Sequence, residues 1–229
     1  MQKKGLSPAT IKTELAAIRF WHDKIPQPRF KLPENAEMSL ERRILGRVDR
    51  TWKTEEFNRF LMVCLQYRHE DYAVIAYLAR YAGLRIHECF RLDTAAAEQA
   101  VKTGLIPVKG KGGKLRAVPI NAAVRAGLES VLSRIERGQK LFVLQDSQTD
   151  REIEGLQQFI IKHRPAFQAE QRTYPVHMHG LRHTYAQEQY LNLIASGNTQ
   201  LAAERQVSEL LGHSRPEVTR IYLAGASEE

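Results

Sequence analysis

Residues 105–120 read LIPVKGKGGKLRAVPI, a stretch that differs in kind from everything around it. Two short β-prone runs flank a glycine-rich centre, the pattern of a β-hairpin. On both sides of it apolar residues recur at helical spacing instead. Downstream, helical patterns run from Asn121 to about 136, from 152 to about 168, from 180 to about 195, and from 199 to 211. Upstream, Thr54 reads as an N-cap, with Glu55 and Glu56 in a first turn whose dipole end favours them. Asp71 opens a second helix carrying Ile75, Leu78 and Ala82, and Gly83 is placed to end it. A last short helix is expected from Ser214, with Ser214 and Glu217 forming a capping box around Pro216. The fold class is therefore mainly α with a small β-hairpin element.

Ahead of this body lies a smaller segment. Ser7 followed by Pro8 marks a helix start, and Ile11, Leu15, Ile18 and Trp21 form one apolar stripe behind it. Pro26, Pro28 and Pro33 forbid a continuous helix, so residues 25–36 read as a linker. Arg42, Arg43, Arg47, Arg50 and Lys53 follow with few acids to oppose them. That run is either a solvated tether or a basic strap over a phosphate backbone.

Composition narrows the class. A hydrophobic share of 43% can build an ordinary core. No apolar run reaches the length of a bilayer span, and the mean hydropathy is −0.42. The basic start MQKKGLSPAT has no apolar stretch behind it, so no secretory signal is read there. With only Cys64 and Cys89, a disulfide framework and a four-cysteine zinc site are excluded. A soluble, cytoplasmic protein without membrane partners is expected. Its net charge of +8 and isoelectric point near 9.6 attract polyanions, nucleic acid first.

Five places hold polar residues that a plain helical fold does not need. They are Arg85 in GLRIHE, with Glu88 three residues on; Lys111 in the hairpin tip KGKGGK; His179, Arg182 and His183 in HGLRH; His213 in ELLGHS; and Tyr222 in TRIYL. Singly, each has a bland reading: a structural ion pair for Arg85, solubility for Lys111, a helix C-cap for His213, a core aromatic for Tyr222. His177, His179 and His183 suggest a metal at first sight, but no carboxylate or thiolate stands at ligand spacing beside them. Taken together the residues fit one reaction. Two arginines offer planar forks to phosphate oxygens, a tyrosine offers an oxygen nucleophile, histidines handle protons near neutrality, and a lysine can protonate a leaving oxygen. Such a set supports phosphoryl transfer with fixed cations in place of a metal, so no cofactor is expected.

The ordered series GLRIHE, KGKGGK, HGLRHTYA, ELLGHS and TRIYL closely resembles the tyrosine recombinases, the phage-integrase family. The resemblance covers about residues 50–224. It implies a tyrosine recombinase catalytic-domain fold over residues 54–229, a basic linker over 37–53, and in residues 1–36 the tail of a helical, SAM-like core-binding domain that closes over DNA. It further implies that Tyr222 attacks a DNA phosphodiester to give a 3'-phosphotyrosyl link and a free 5'-hydroxyl. Arg85 and Arg182 would clamp the phosphate, and Lys111 would act as general acid. His179 would be the general base and His213 a hydrogen-bond donor to the phosphate. Glu88 would support the site from behind, and His183 would be structural. Lys109 and Lys114 join the basic run as expected DNA contacts. Free tyrosine has a pKa near 10, so only about one in a thousand is phenolate at pH 7 and the histidine and arginines are needed to activate it.

Two departures from the family pattern stand out. About fifty residues precede the body, too few for the family's bundle, so the chain is expected to be a truncated piece or a natural short form with a weak clamp. The ending AGASEE is too short and polar to dock on a neighbouring protomer, which puts regulated exchange in question. The expected partner is double-stranded DNA, with a homotetramer on DNA and a monomer in solution. The leading function is site-specific recombination or integration. Nicking and resealing in the manner of a type IB topoisomerase, and DNA binding without turnover, are the alternatives.

Overall fold

The computed structural model describes residues 6–38, 48–110, 113, 115–213 and 216–224. The chain divides into two units, residues 1–45 and 46–229. The first holds helix α1 (Pro8–His22), whose N-cap Ser7 accepts from the backbone N–H of Thr10. Of its apolar stripe Ile11 is buried, while Ile18 and Trp21 are exposed. Within this unit Arg19 donates to the Pro33 carbonyl and to Asn35 Oδ1, folding the proline-rich segment back on the helix.

The second unit is built on helices α2 (Thr54–Gln66), α3 (Glu70–Tyr81), α4 (Ile86–Cys89), α5 (Thr94–Thr103), α6 (Ala122–Leu132), α7 (Thr149–Phe167), α8 (Met178–Ala195) and α9 (Gln200–Leu211), closed by a 3₁₀ helix (Pro216–Ile221). Between α5 and α6 lies the antiparallel hairpin β1 (Leu105–Lys109) and β2 (Leu115–Pro119), with Ile106 opposite Val118 and Val108 opposite Arg116. The fold class is as the sequence indicated. The first helix of the body begins at Thr54, with Lys53 rather than Thr54 at the N-cap. Helices α4 and α5, capped at Arg85 and Asp93, were not expected. The expected cap at Ser214 lies outside the described residues.

Two apolar clusters make the core. The larger gathers Phe57 and Phe60 of α2, Ile75 and Leu78 of α3, Leu128 of α6 and Leu156 of α7, with Trp52 stacked on Phe167 at 5.4 Å. The smaller joins Tyr185 and Tyr190 of α8 to Val207 and Leu211 of α9, and it also takes in Tyr222 and Leu223. Helix α8 therefore carries apolar groups for both clusters, Leu181 for the larger and Tyr185 and Tyr190 for the smaller, and the HGLRH residues on its first turns. Its start is pinned from outside: Trp52 donates its indole N–H to the His177 carbonyl at 2.9 Å, and its backbone N–H to Thr184 Oγ1 at 2.9 Å. That close approach requires Gly180, since a Cβ there would meet the Arg50 carbonyl and stand 2.8 Å from Trp52 Cδ1. Among the described residues no helix is long and apolar enough to cross a membrane.

Candidate active site

The site is assembled around one carboxylate. Glu88, on the single turn of α4, is fully buried. Its oxygens accept from the Arg85 backbone N–H at 2.8 Å, from Arg85 Nη1 at 2.9 Å, and from Arg116 Nη1 and Nη2 at 3.0 and 2.8 Å. Arg182 Nη1 lies 3.8 Å away. Burial alone would raise the Glu88 pKa. The Arg116 hydrogen bonds, the Arg85 N–H and the charges of Arg116 and Arg182 outweigh it and hold the value down to about 2. Three guanidiniums around one carboxylate leave two uncompensated positive charges in the pocket.

Arg182 is the most enclosed of the three, with no exposed surface. It donates to the carbonyls of Gly83 and Leu211, the latter at 2.6 Å, which ties α8 to the ends of α3 and α9. The turn at Gly83 permits this: its φ is +61°, and the Tyr185 ring fills the place a Cβ would take. Burial and the neighbouring Arg85 pull the Arg182 pKa to about 10, so it stays charged at neutral pH. Arg85 is more open, and among the described residues its side chain is held only by Glu88, leaving guanidinium N–H groups to spare. The Nε atoms of Arg182 and Arg116 and the Nδ1 of His183 are buried without partners in the structure.

Tyr222 follows the 3₁₀ helix and is buried against this cluster. The His183 ring stacks on it at 4.4 Å, with His213 at 5.0 Å and His179 at 5.4 Å between centroids. The Arg182 guanidinium carbon lies 5.6 Å from the centre of the Tyr222 ring. Burial first, then the cations around them, holds His183 and His213 down to about 3, so both are neutral at pH 7. His179 is exposed as a residue. Desolvation against the site, then the charges of Arg182, Arg85 and Arg50, keep its pKa below the ordinary value. A neutral histidine can accept a proton, which is the state a general base needs.

The tautomer of His213 follows from its partners. Arg182 can only donate, so His213 Nε2, at 3.3 Å, accepts; Nδ1 then carries the proton and donates to Thr219 Oγ1 at 3.0 Å. A donor role toward phosphate, as the resemblance implies, requires the proton on Nε2 instead.

Of the residues singled out from sequence, the structure brings together Arg85, Glu88, His179, Arg182, His183, His213 and Tyr222. Lys111, Lys114, Arg42, Arg43 and Arg47 lie outside the described residues. Lys109 is exposed at the end of β1, and Lys53 is exposed at the head of α2. Exposed Arg50 lines a cavity of about 130 Å³ with Tyr174, Pro175, His177, His179 and Gly180, beside the site. Arg116 was missed. Its signal was present in β2, where alternation from buried Val118 puts Arg116 on the inward face.

A family model described as "Phage integrase family" matches residues 51–229. The chain belongs to the phage integrase family. The match covers the catalytic domain of these tyrosine recombinases. The chain is 33% identical over 159 residues to tyrosine recombinase XerC of Pseudomonas fluorescens, covering 67% of this chain and 48% of that protein. It is 28% identical over 228 residues to tyrosine recombinase XerA of Thermococcus kodakarensis, covering 97% and 73%. The chain thus spans about half the length of the XerC relative. Among solved structures, the XerA recombinase superposes with a TM-score of 0.58 at 20% identity, covering 96% of this chain and 73% of that one. The XerH recombinase bound to its difH substrate gives 0.59 at 22%, covering 95% and 62%.

Proposed function

We propose that this chain is the catalytic part of a site-specific DNA recombinase that cleaves and rejoins DNA through a 3'-phosphotyrosyl intermediate on Tyr222, with neither metal nor ATP. The observation that carries this reading is the enclosure of Tyr222 by three neutral histidines beside a pocket with two uncompensated positive charges. A phosphodiester carries one negative charge, and its pentacoordinate transition state, after attack by a phenolate, carries two. The pocket matches the second, so it favours the transition state over the bound substrate. Solved structures of related fold, such as XerH on difH, hold DNA, in keeping with this substrate.

In this reading the Tyr222 hydroxyl loses its proton to His179 as its oxygen attacks phosphorus. Arg85 and Arg182 stabilise the non-bridging oxygens, Glu88 and Arg116 hold those arginines in place, and His213 contacts the phosphate as its Nε2–H tautomer, reached by proton exchange with water, with Nδ1 then accepting from the Thr219 hydroxyl. The bond to the 5'-oxygen breaks as Lys111 supplies its proton. The new ester conserves the energy of the old one, so the reverse attack by a 5'-hydroxyl reseals the strand without a nucleotide. Residues 1–36 belong to a DNA-clamping domain and 37–53 form a basic linker, with Arg42, Arg43, Arg47, Arg50, Lys53, Lys109 and Lys114 gripping the backbone; DNA affinity then falls steeply with salt. The assembly proposed on DNA is a homotetramer.

The test uses supercoiled plasmid in EDTA, quenched with detergent, for the chain and for Tyr222→Phe. Relaxation and a covalent protein–DNA adduct with the chain but not the variant support the reading. Salt-sensitive binding without adduct, on plasmid and on nicked duplexes alike, refutes it in favour of a binding module.

A further inference from the structure

One face of α8 carries three side chains that reach out to two separate stretches of chain. His183 stacks on Tyr222, Thr184 accepts the backbone N–H of Trp52, and Gln187, one turn beyond His183, reaches both stretches at once. Its Nε2 donates to the carbonyl of Ala224, two residues past the tyrosine, and to Asp49 Oδ1 at 3.4 Å. Both partners are pure acceptors, so only the amino end of the amide satisfies them and its orientation is set.

The strut that Gln187 grasps is firmly seated. Asp49 accepts from the Thr51 backbone N–H at 2.9 Å and from its hydroxyl at 3.0 Å, and the Thr51 carbonyl accepts from Arg172. Arg172 is in turn bound to fully buried Glu56 at 2.7 Å, and Trp52 is anchored on His177. Tyr222 follows the short 3₁₀ helix, and its own backbone N–H bonds locally, to the Thr219 carbonyl at 2.8 Å.

We propose that Gln187 is a positioning residue for the nucleophile: it fastens the segment carrying Tyr222 to the strut 49–52, so that the seating of the tyrosine is coupled to the strut where the basic run ends. The inference rests on the recombinase reading for its consequence in catalysis, but not for the structural link itself. The residue touches no reacting atom; it acts through the Ala224 carbonyl and the Asp49 carboxylate.

The experiment compares the chain with Gln187→Leu, which keeps the packing volume and loses both donors, and with Asp49→Ala. On a nicked DNA duplex that traps the covalent adduct, Gln187→Leu is expected to slow adduct formation from the saturated complex about tenfold, the loss of one sound hydrogen bond at the transition state. DNA affinity stays unchanged, and the melting temperature falls by no more than about 2–4 °C. Asp49→Ala is expected to give a smaller loss of the same kind. A readout independent of activity accompanies it. With 3-fluorotyrosine throughout, the ¹⁹F resonance of Tyr222, assigned by its disappearance in Tyr222→Phe, should shift or broaden in both variants. A wild-type rate with an unmoved resonance in Gln187→Leu overturns the proposal, and an unmoved resonance in Asp49→Ala overturns the coupling to the strut. Failure of the unsubstituted chain to form any adduct would instead fall on the recombinase reading, and the resonance would still decide the link.

Discussion

Glu88→Gln isolates the central electrostatic element of the site. The substitution keeps shape and one acceptor oxygen but removes the negative charge from among three guanidiniums. Its cost follows from the carboxylate's own titration. Depression of the Glu88 pKa from 4.5 to about 2 corresponds to about 3 kcal/mol of preference for the ionised form in the folded state, the range expected when one partner of a buried ion cluster is removed. For a domain of this size that is a fall of about 6–12 °C in melting temperature. The sign is checked by acid titration. A carboxylate with a lowered folded pKa contributes stability above its unfolded pKa, and loses it as pH falls from near 4.5 through about 2; the variant lacks that component of acid unfolding. The variant's pocket also carries one more uncompensated positive charge. Sulfate, a tetrahedral dianion, should therefore raise its melting temperature more than that of the unsubstituted chain at matched ionic strength, the general salting effect being common to both. Urea denaturation and thermal melts with and without sulfate measure both quantities. A loss below about 1 kcal/mol, or equal sulfate responses, would refute the assignment of Glu88 as the counter-charge of an anion pocket.

Arg116→Lys keeps the charge but not the two-pronged contact with Glu88, so it should lower stability by about 1–2 kcal/mol in urea denaturation and slow adduct formation while leaving DNA affinity intact. Neutral, enclosed His183 and His213, held to about 3, give the opposite acid behaviour from a paired histidine. The unfolded chain takes up their protons below pH 6.5 and the folded one does not, so stability falls as pH drops from 6.5 toward 3. The slope approaches about 1.4 kcal/mol per pH unit for each, and His183→Phe should remove one share of it in denaturation curves collected between pH 7 and 5. Gly180→Ala places a Cβ against the Arg50 carbonyl and the Trp52 ring, groups that cannot yield. It should cost about 2–3 kcal/mol, readable in the same denaturation assay, and shift Trp52 fluorescence.

Much of this was legible in the sequence, and the exceptions have physical causes. Ser7, Asn121 and Thr199 cap their helices through side-chain oxygens, a signal written in a few adjacent residues. Helix α5 escaped notice because TAAAEQAVKT buries alanines, Ala97 and Ala100, which give no apolar contrast against their neighbours. Helix α4 is a single turn, too short for any period to show, and its ordering comes from Glu88 accepting the Arg85 N–H. Four of the five motifs supply residues that the structure brings together, Lys111 of KGKGGK lying outside the described residues; Arg116 was not among them, because a lone arginine in a strand reads as surface until the inward face is fixed by Val118. Nor could spacing decide between a core aromatic and a reactive tyrosine at position 222. In the structure Tyr222 packs with the second core cluster and also faces the histidines. Tertiary contacts between residues 99 and 125 positions apart, Arg182 to Gly83 and Trp52 to His177, have no local signature at all.

The most direct test is to identify the residue that becomes attached to DNA. The trapped complex would be digested with nuclease and trypsin and the modified peptide sequenced by mass spectrometry. Cleavage after Arg220 yields a peptide beginning at Ile221 with Tyr222 as its one tyrosine. A nucleotide joined through its 3'-phosphate to Tyr222 and to no other residue, formed in the presence of EDTA, is expected. Attachment at another side chain, or nicked DNA with no attached peptide, would contradict it.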